Sequence, residues 1–174
     1  MKKILLPAIL AIILTMSGCS LTSNNASNKR DNTKPATSIQ VEEVNTTVNG
    51  QAAINLSGKN LDKIPFSTFE KTGTETLDIS NNRLTGALPG EIRFLKNLKT
   101  LKANNNFMTG VPAEIGQLSN LEILDLSNNQ LTGLPEELGN LKNLKTLNLA
   151  GNTYSEQDLK YIQERLPNTT FILK

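Results

Sequence analysis

The chain has 174 residues, a formal net charge of +2, no histidine, no tryptophan and a single cysteine. Residues 1–44 hold five Lys/Arg and three acids, and residues 45–174 hold thirteen of each. The body is therefore neutral and has no basic stripe of the kind that phosphate backbones require, which excludes nucleic acid as a partner. The lack of histidine, of any second cysteine, of a Gly-rich phosphate loop and of a metal-ligand cluster argues against an enzyme and against a cofactor.

Lys2 and Lys3 precede the apolar run ILLPAILAIIL, residues 4–14. This is the charged-then-apolar order of a secretory signal peptide, and it is too short for a lasting transmembrane helix of about 20 residues. Residues 1–18 are read as that signal. The next residue is Cys19, which cannot form an internal disulfide because no second cysteine exists. One reading is ordinary cleavage near Ser17-Gly18 with Cys19 incidental. The other rests on the segment MSGC, which resembles the bacterial lipobox although Met16 stands where Leu, Val or Ile is usual. That resemblance implies acylation of Cys19 and attachment to a cell membrane. Each buried CH2 contributes about 0.8 kcal/mol, so several chains hold durably. In a Gram-negative host Ser20, in place of Asp, implies the outer membrane.

Residues 19–44 come next as a Ser/Asn/Thr-rich spacer. Its first part, SLTSNNASNKRDNTKPATS, carries too little apolar surface to offset its ordering entropy and is expected to be disordered. About twenty residues of such coil reach roughly 25 Å. Residues 39–48, with spaced Ile and Val, are compatible either with spacer or with packing on the domain beyond Val48.

From residue 51 onward the sequence repeats. LEILDLSNNQLTGLP, residues 121–135, fits L-x-x-L-x-L-x-x-N-x-L through Leu121, Leu124, Leu126, Asn129 and Leu131. The frame recurs at Leu144, Leu147, Leu149, Asn152 and Tyr154, and at Leu98, Leu101, Ala103, Asn106 and Met108. Earlier copies run through Thr74, Leu77, Ile79, Asn82 and Leu84, and through Gln51, Ile54, Leu56, Lys59 and Leu61. The ninth positions, 59, 82, 106, 129 and 152, are 23 or 24 residues apart. Leu-x-Leu places two side chains on one face of a short strand. The asparagine can satisfy buried backbone groups where the chain then turns. A second apolar set (Ile115, Leu118, Leu138, Leu141) covers the return path after Pro112 and Pro135. One coil cannot close a core, whereas stacked coils can.

This motif resembles the leucine-rich repeat family over residues 50–174. LTGALPGEIRFLKNL and MTGVPAEIGQLSNL are similar to a mixture of its plant-type and bacterial-type repeats, with Ala87 the extra residue of the longer one. With the lipobox and spacer, the arrangement resembles bacterial surface lipoproteins of this family. The resemblance implies an α/β fold: a leucine-rich repeat solenoid of five coils over residues 45–174, with a parallel concave sheet and helical or 3₁₀ turns outside. FSTFEKTG departs from the usual return path, so the first turn of the solenoid is expected to be irregular. Asn49-Gly50 offers a hairpin turn to cover the N-terminal edge. At the other end, Ser155 is an expected N-cap for a helix bearing Leu159, Ile162 and Leu166 on one face and stopping at Pro167, with a last strand in TTFILK.

Two columns of non-leucine strand positions are expected on the concave face. One contains Asp78, Lys102, Asp125 and Asn148, and the other Glu75, Lys99, Glu122 and Lys145. Their alternating charges suit recognition of a protein partner. Equally, neighbouring coils can pair those charges with each other and simply keep the face soluble. Phe94 and Phe107 break the pattern of their own columns and are expected to be partly exposed, as aromatic anchors or as ordinary surface apolar residues. The favoured function is a lipid-anchored, monomeric surface protein, outside the cytoplasm, that binds a protein ligand. The alternative is a structural, self-associating protein of the cell envelope.

Overall fold

The computed structural model describes residues 44–48 and 51–174. The expected signal segment, Cys19, the spacer up to residue 43 and the Asn49-Gly50 turn lie outside the described residues, and Val44, expected as the last spacer residue, opens the first strand. Among the described residues no helix is long and apolar enough to cross a membrane.

Each copy of the Leu-x-Leu frame forms a short strand. These are β2 (Gln51–Asn55), β3 (Thr76–Asp78), β5 (Thr100–Lys102), β7 (Ile123–Asp125) and β8 (Thr146–Asn148). They pair in parallel, in one constant register, and β9 (Thr170–Ile172) continues the sheet beyond β8. At the other edge β1 (Val44–Val48) pairs antiparallel with β2, Val48 opposite Gln51. The register stacks Ile54, Leu77, Leu101, Leu124, Leu147 and Phe171 in a single row. Of these the five aliphatic residues are buried and Phe171 is partly so. Fully burying a Leu or Ile stabilises by about 1.5–3 kcal/mol, and each coil contributes several.

After each strand the chain turns through a left-handed residue, at Gly58, Asn81, Asn105, Asn128 and Gly151 in successive coils. Asparagine tolerates this conformation and glycine adopts it freely. The next residue of the later coils is the asparagine of the frame, and it is buried or nearly so. Asn106 is representative. Its Oδ1 accepts the Leu84 N–H (3.1 Å), and its Nδ2 donates to the carbonyls of Ile79 (3.0 Å) and Ala103 (3.2 Å). Asn82, Asn129 and Asn152 repeat these bonds, so the side chains replace the backbone ladder where the strands end. Lys59, which begins the column, is exposed.

The return paths come after the prolines. Pro89, Pro112 and Pro135 precede 3₁₀ turns at Gly90–Phe94, Ala113–Gln117 and Glu136–Asn140, which bury Ile92, Ile115 and Leu138. The first return path differs, as its sequence suggests: helix α1 (Ser67–Glu70) buries Phe69 there instead. A second sheet, which the repeat frame does not signal, joins β4 (Thr85–Ala87) in parallel to β6 (Phe107–Gly110). At the C-terminal end helix α2 (Glu156–Arg165) starts at Ser155, whose side chain accepts the Asp158 N–H, and it buries Leu159 and Ile162. Arg165 of α2 lies so near Gly139 that a Cβ there would meet its Cδ at 2.7 Å, and it donates to Asn140 Oδ1 (3.2 Å).

Candidate functional site

The side chains of the concave sheet that do not enter the core form three columns. In the first, Lys99 lies 2.9 Å from Glu75 and Lys145 lies 2.6 Å from Glu122, each pair bridging neighbouring strands. The Lys145 hydrogen bond and charge, helped by Lys99, hold the Glu122 carboxyl below its ordinary value, against a smaller opposing desolvation. These four charges are thus satisfied within the face.

The second column ends the strands. Asp78 Oδ1 accepts the N–H (3.0 Å) and hydroxyl (2.6 Å) of Ser80, and Asp125 Oδ1 does the same with Ser127 (3.0 and 2.7 Å). Asn148 Oδ1 accepts the Ala150 N–H (3.2 Å). A carboxylate or amide bonded two residues ahead is an Asx turn, so these side chains shape the bend after each strand. Lys102 stands in register between Asp78 and Asp125. It is exposed, and among the described residues it forms no ion pair.

A third column, which opens each of the short strands from β3 onward, is not marked by the repeat frame. It runs Thr76, Thr100, Ile123, Thr146 and Thr170, with the buried Ala53 of β2 in register at its end. Ile123 is 41% exposed among threonines, beside the strand that carries Lys102. The signal in the sequence is the apolar residue at an x position of LEILDL. Lys102 and Ile123 are therefore the features of this face that the fold itself does not consume.

Phe94 and Phe107 are 41% and 50% exposed, as their positions suggest. They occupy different stations of consecutive coils. Phe94 closes a 3₁₀ turn, with the Arg93 guanidinium 4.5 Å from its ring centroid, while Phe107 begins β6. Among the described residues no group of three or more His, Cys, Asp or Glu is placed to hold a metal ion.

The class defined by this fold is a solenoid of short parallel strands backed by 3₁₀ turns, with an asparagine ladder between the coils. The chain carries leucine-rich repeats: a single Leucine Rich Repeat is matched at residues 73–95 and a two-copy Leucine Rich repeats unit at residues 119–161. No curated protein sequence matches it. Among solved structures it is similar to a leucine-rich repeat protein of Leptospira interrogans, with 33% identity and a TM-score of 0.54 over 64% of this chain and 34% of that one. The ectodomain of the receptor kinase SOBIR1 from Arabidopsis thaliana gives 28% identity and a TM-score of 0.55 over 76% of each chain. A plant peptide hormone receptor, RGFR1 in complex with RGF2, gives 37% identity and a TM-score of 0.53 over 63% of this chain and 18% of that one. The chain thus spans about a third of the Leptospira protein and less than a fifth of RGFR1.

Proposed function

We propose that the protein is a lipid-anchored surface protein, held through Cys19, whose concave sheet binds a protein partner around Lys102 and Ile123. The observation that carries this reading is the exposed Ile123 beside an unpaired Lys102, on a face whose other charges serve each other or the turns. An apolar contact next to a free charge combines burial with directional attraction, which is the composition of a specific contact patch. The complex of RGFR1 with RGF2 supports the same use of the fold. Anchoring rests on the MSGC segment and on the lone cysteine.

Two measurements test the two parts. Growth with labelled palmitate should label the full chain and leave Cys19→Ser unlabelled; label retained by Cys19→Ser removes the anchor from the reading. For the partner, the immobilised full chain is exposed to envelope extracts beside a Lys102→Glu/Ile123→Ser double variant. A protein retained by the first and released by the second supports the concave patch. Equal retention by both moves binding elsewhere, and concentration-dependent self-association without any retained protein supports the structural alternative.

A further inference from the structure

The small sheet of β4 and β6 has an open side. Phe107 N–H donates to the Leu84 carbonyl (2.9 Å) and Leu88 N–H to the Gly110 carbonyl (3.2 Å). In a ladder of this kind alternate residues face the partner strand, so the N–H and C=O of Thr85 and Ala87 turn away from β6. They turn toward the preceding coil, which does not meet them. The seam between the two coils ends with Arg83 N–H donating to the Leu61 carbonyl (2.9 Å), and no described backbone bond joins residues 62–64 to Thr85 or Ala87. All three β4 residues are exposed.

The cause lies in the first coil. Leu84 and Met108 are each followed by a threonine and a glycine, and these segments form the two strands. Leu61 is followed instead by Asp62-Lys63-Ile64-Pro65, with no glycine. Just before it, Asn60 takes a left-handed φ of 55° that Arg83, Phe107 and Gln130 at the same station do not share. The first coil leaves the seam there, and a groove of about 230 Å³ opens, walled by Ile64, Leu84, Leu88 and Met108.

What fits this opening is constrained on three counts. Free donors and acceptors on alternate residues of an edge match the backbone of an added strand. The volume falls below the roughly 300–1,000 Å³ of small-molecule sites and suits a side chain projecting from such a strand. The rim is positive on balance: Lys63 lines the groove beside Asp62, and exposed Lys59 and Arg83 stand at the end of the seam, where Arg83 N–H meets the Leu61 carbonyl. A second copy pairing edge to edge would set these cations against each other, which opposes self-association here. We propose that the β4 edge accepts an extended acidic peptide segment as an added strand, with one aliphatic side chain seated between Ile64 and Met108. This site lies off the concave sheet and does not depend on the partner proposed for it.

The test is fluorescence anisotropy of the full chain in detergent with labelled eight-residue peptides. The parent probe alternates glutamate and valine. One variant probe is N-methylated on every second amide, and another carries lysine in place of glutamate. The parent probe should saturate. N-methylation should weaken it about tenfold, the worth of two backbone hydrogen bonds. The lysine probe should fail to bind the unaltered protein, and Lys63→Glu should weaken the parent probe. Lys102→Glu/Ile123→Ser should leave its affinity unchanged. Equal binding of the methylated and parent probes, no saturable binding of the parent, weakening by the concave double variant, or dimerisation that competes with the probe would each overturn the proposal.

Discussion

The Lys145 ammonium lies 2.6 Å from the Glu122 carboxylate, one strand away on the same exposed column. The Glu122 carboxyl is held below its ordinary value of 4.5 by that hydrogen bond and charge. A carboxylate depressed in the folded state contributes stability above its unfolded value and loses it as pH falls through the folded value. The pair is open to solvent, so its effect is small and weakens with salt. An NMR titration should place the Glu122 midpoint below 4.5 and return it toward that value in Lys145→Ala. A midpoint unmoved by Lys145→Ala would mean that the pair is not populated in solution.

Asn106 is the second case. Replacing it with alanine leaves the Leu84 N–H without its bond inside the structure, while the Ile79 carbonyl keeps the Asn82 Nδ2 bond (3.0 Å). One orphaned buried polar group costs about 1–3 kcal/mol, so Asn106→Ala should lose up to about 3 kcal/mol in urea unfolding. Asn105→Ala is the comparison. Asn105 is exposed and left-handed, with φ 56°, so the loss should be about 1–2 kcal/mol from backbone strain. Equal losses at the two positions would mean that the buried amide contributes no more than its exposed neighbour.

These two asparagines also mark what was legible in the sequence. The frame pointed to position 106 because a polar residue recurs there among leucines, and only a turn with buried backbone explains that pattern. Position 105 carries no such mark. Its peers are Gly58, Asn81, Asn128 and Gly151, and what unites them is a left-handed backbone, invisible to a search for hydrophobic period. The charged columns were legible as positions but open as to purpose. Whether Glu75 meets Lys99 depends on the coil-to-coil register, and whether Asp78 faces outward or holds Ser80 depends on a local turn. Ile123 and the β4 edge were missed for a related reason. Strand positions between the leucines are free of core constraint, and the Thr-Gly after Leu84 makes a strand only beside its copy after Met108.

Gly116 should tolerate no side chain. A Cβ there would lie 2.5 Å from the Glu137 carbonyl oxygen and 2.8 Å from the Glu137 Cβ, where one 3₁₀ turn rests on the next. The neighbour is backbone and cannot rotate aside, so Gly116→Ala should destabilise by about 1–3 kcal/mol, the usual cost of overpacking. Gly73 has nothing within 4 Å of its own hypothetical Cβ and its φ is not left-handed. Gly73→Ala should therefore be neutral or stabilise by up to about 1 kcal/mol through the unfolded chain. Thermal denaturation of both variants measures the difference, and a Gly116→Ala protein as stable as Gly73→Ala would contradict the close approach of the turns.

Ile123 separates stability from recognition. Its column holds Thr76, Thr100, Thr146 and Thr170, so a threonine at this station already suits the strand and its neighbours. Ile123 is 41% exposed, and Ile123→Thr removes apolar surface that the core does not use. The variant should unfold within about 0.5 kcal/mol of the parent, as surface substitutions usually do. Its affinity for a concave-face partner should nevertheless fall, because truncating an apolar anchor in a contact patch commonly costs more than 1 kcal/mol, or about fivefold in affinity. Calorimetry of unfolding and of binding on the same preparation reads both quantities. A stability loss matching the binding loss would make Ile123 a packing residue, whereas unchanged stability with weaker binding would make it part of the recognition surface.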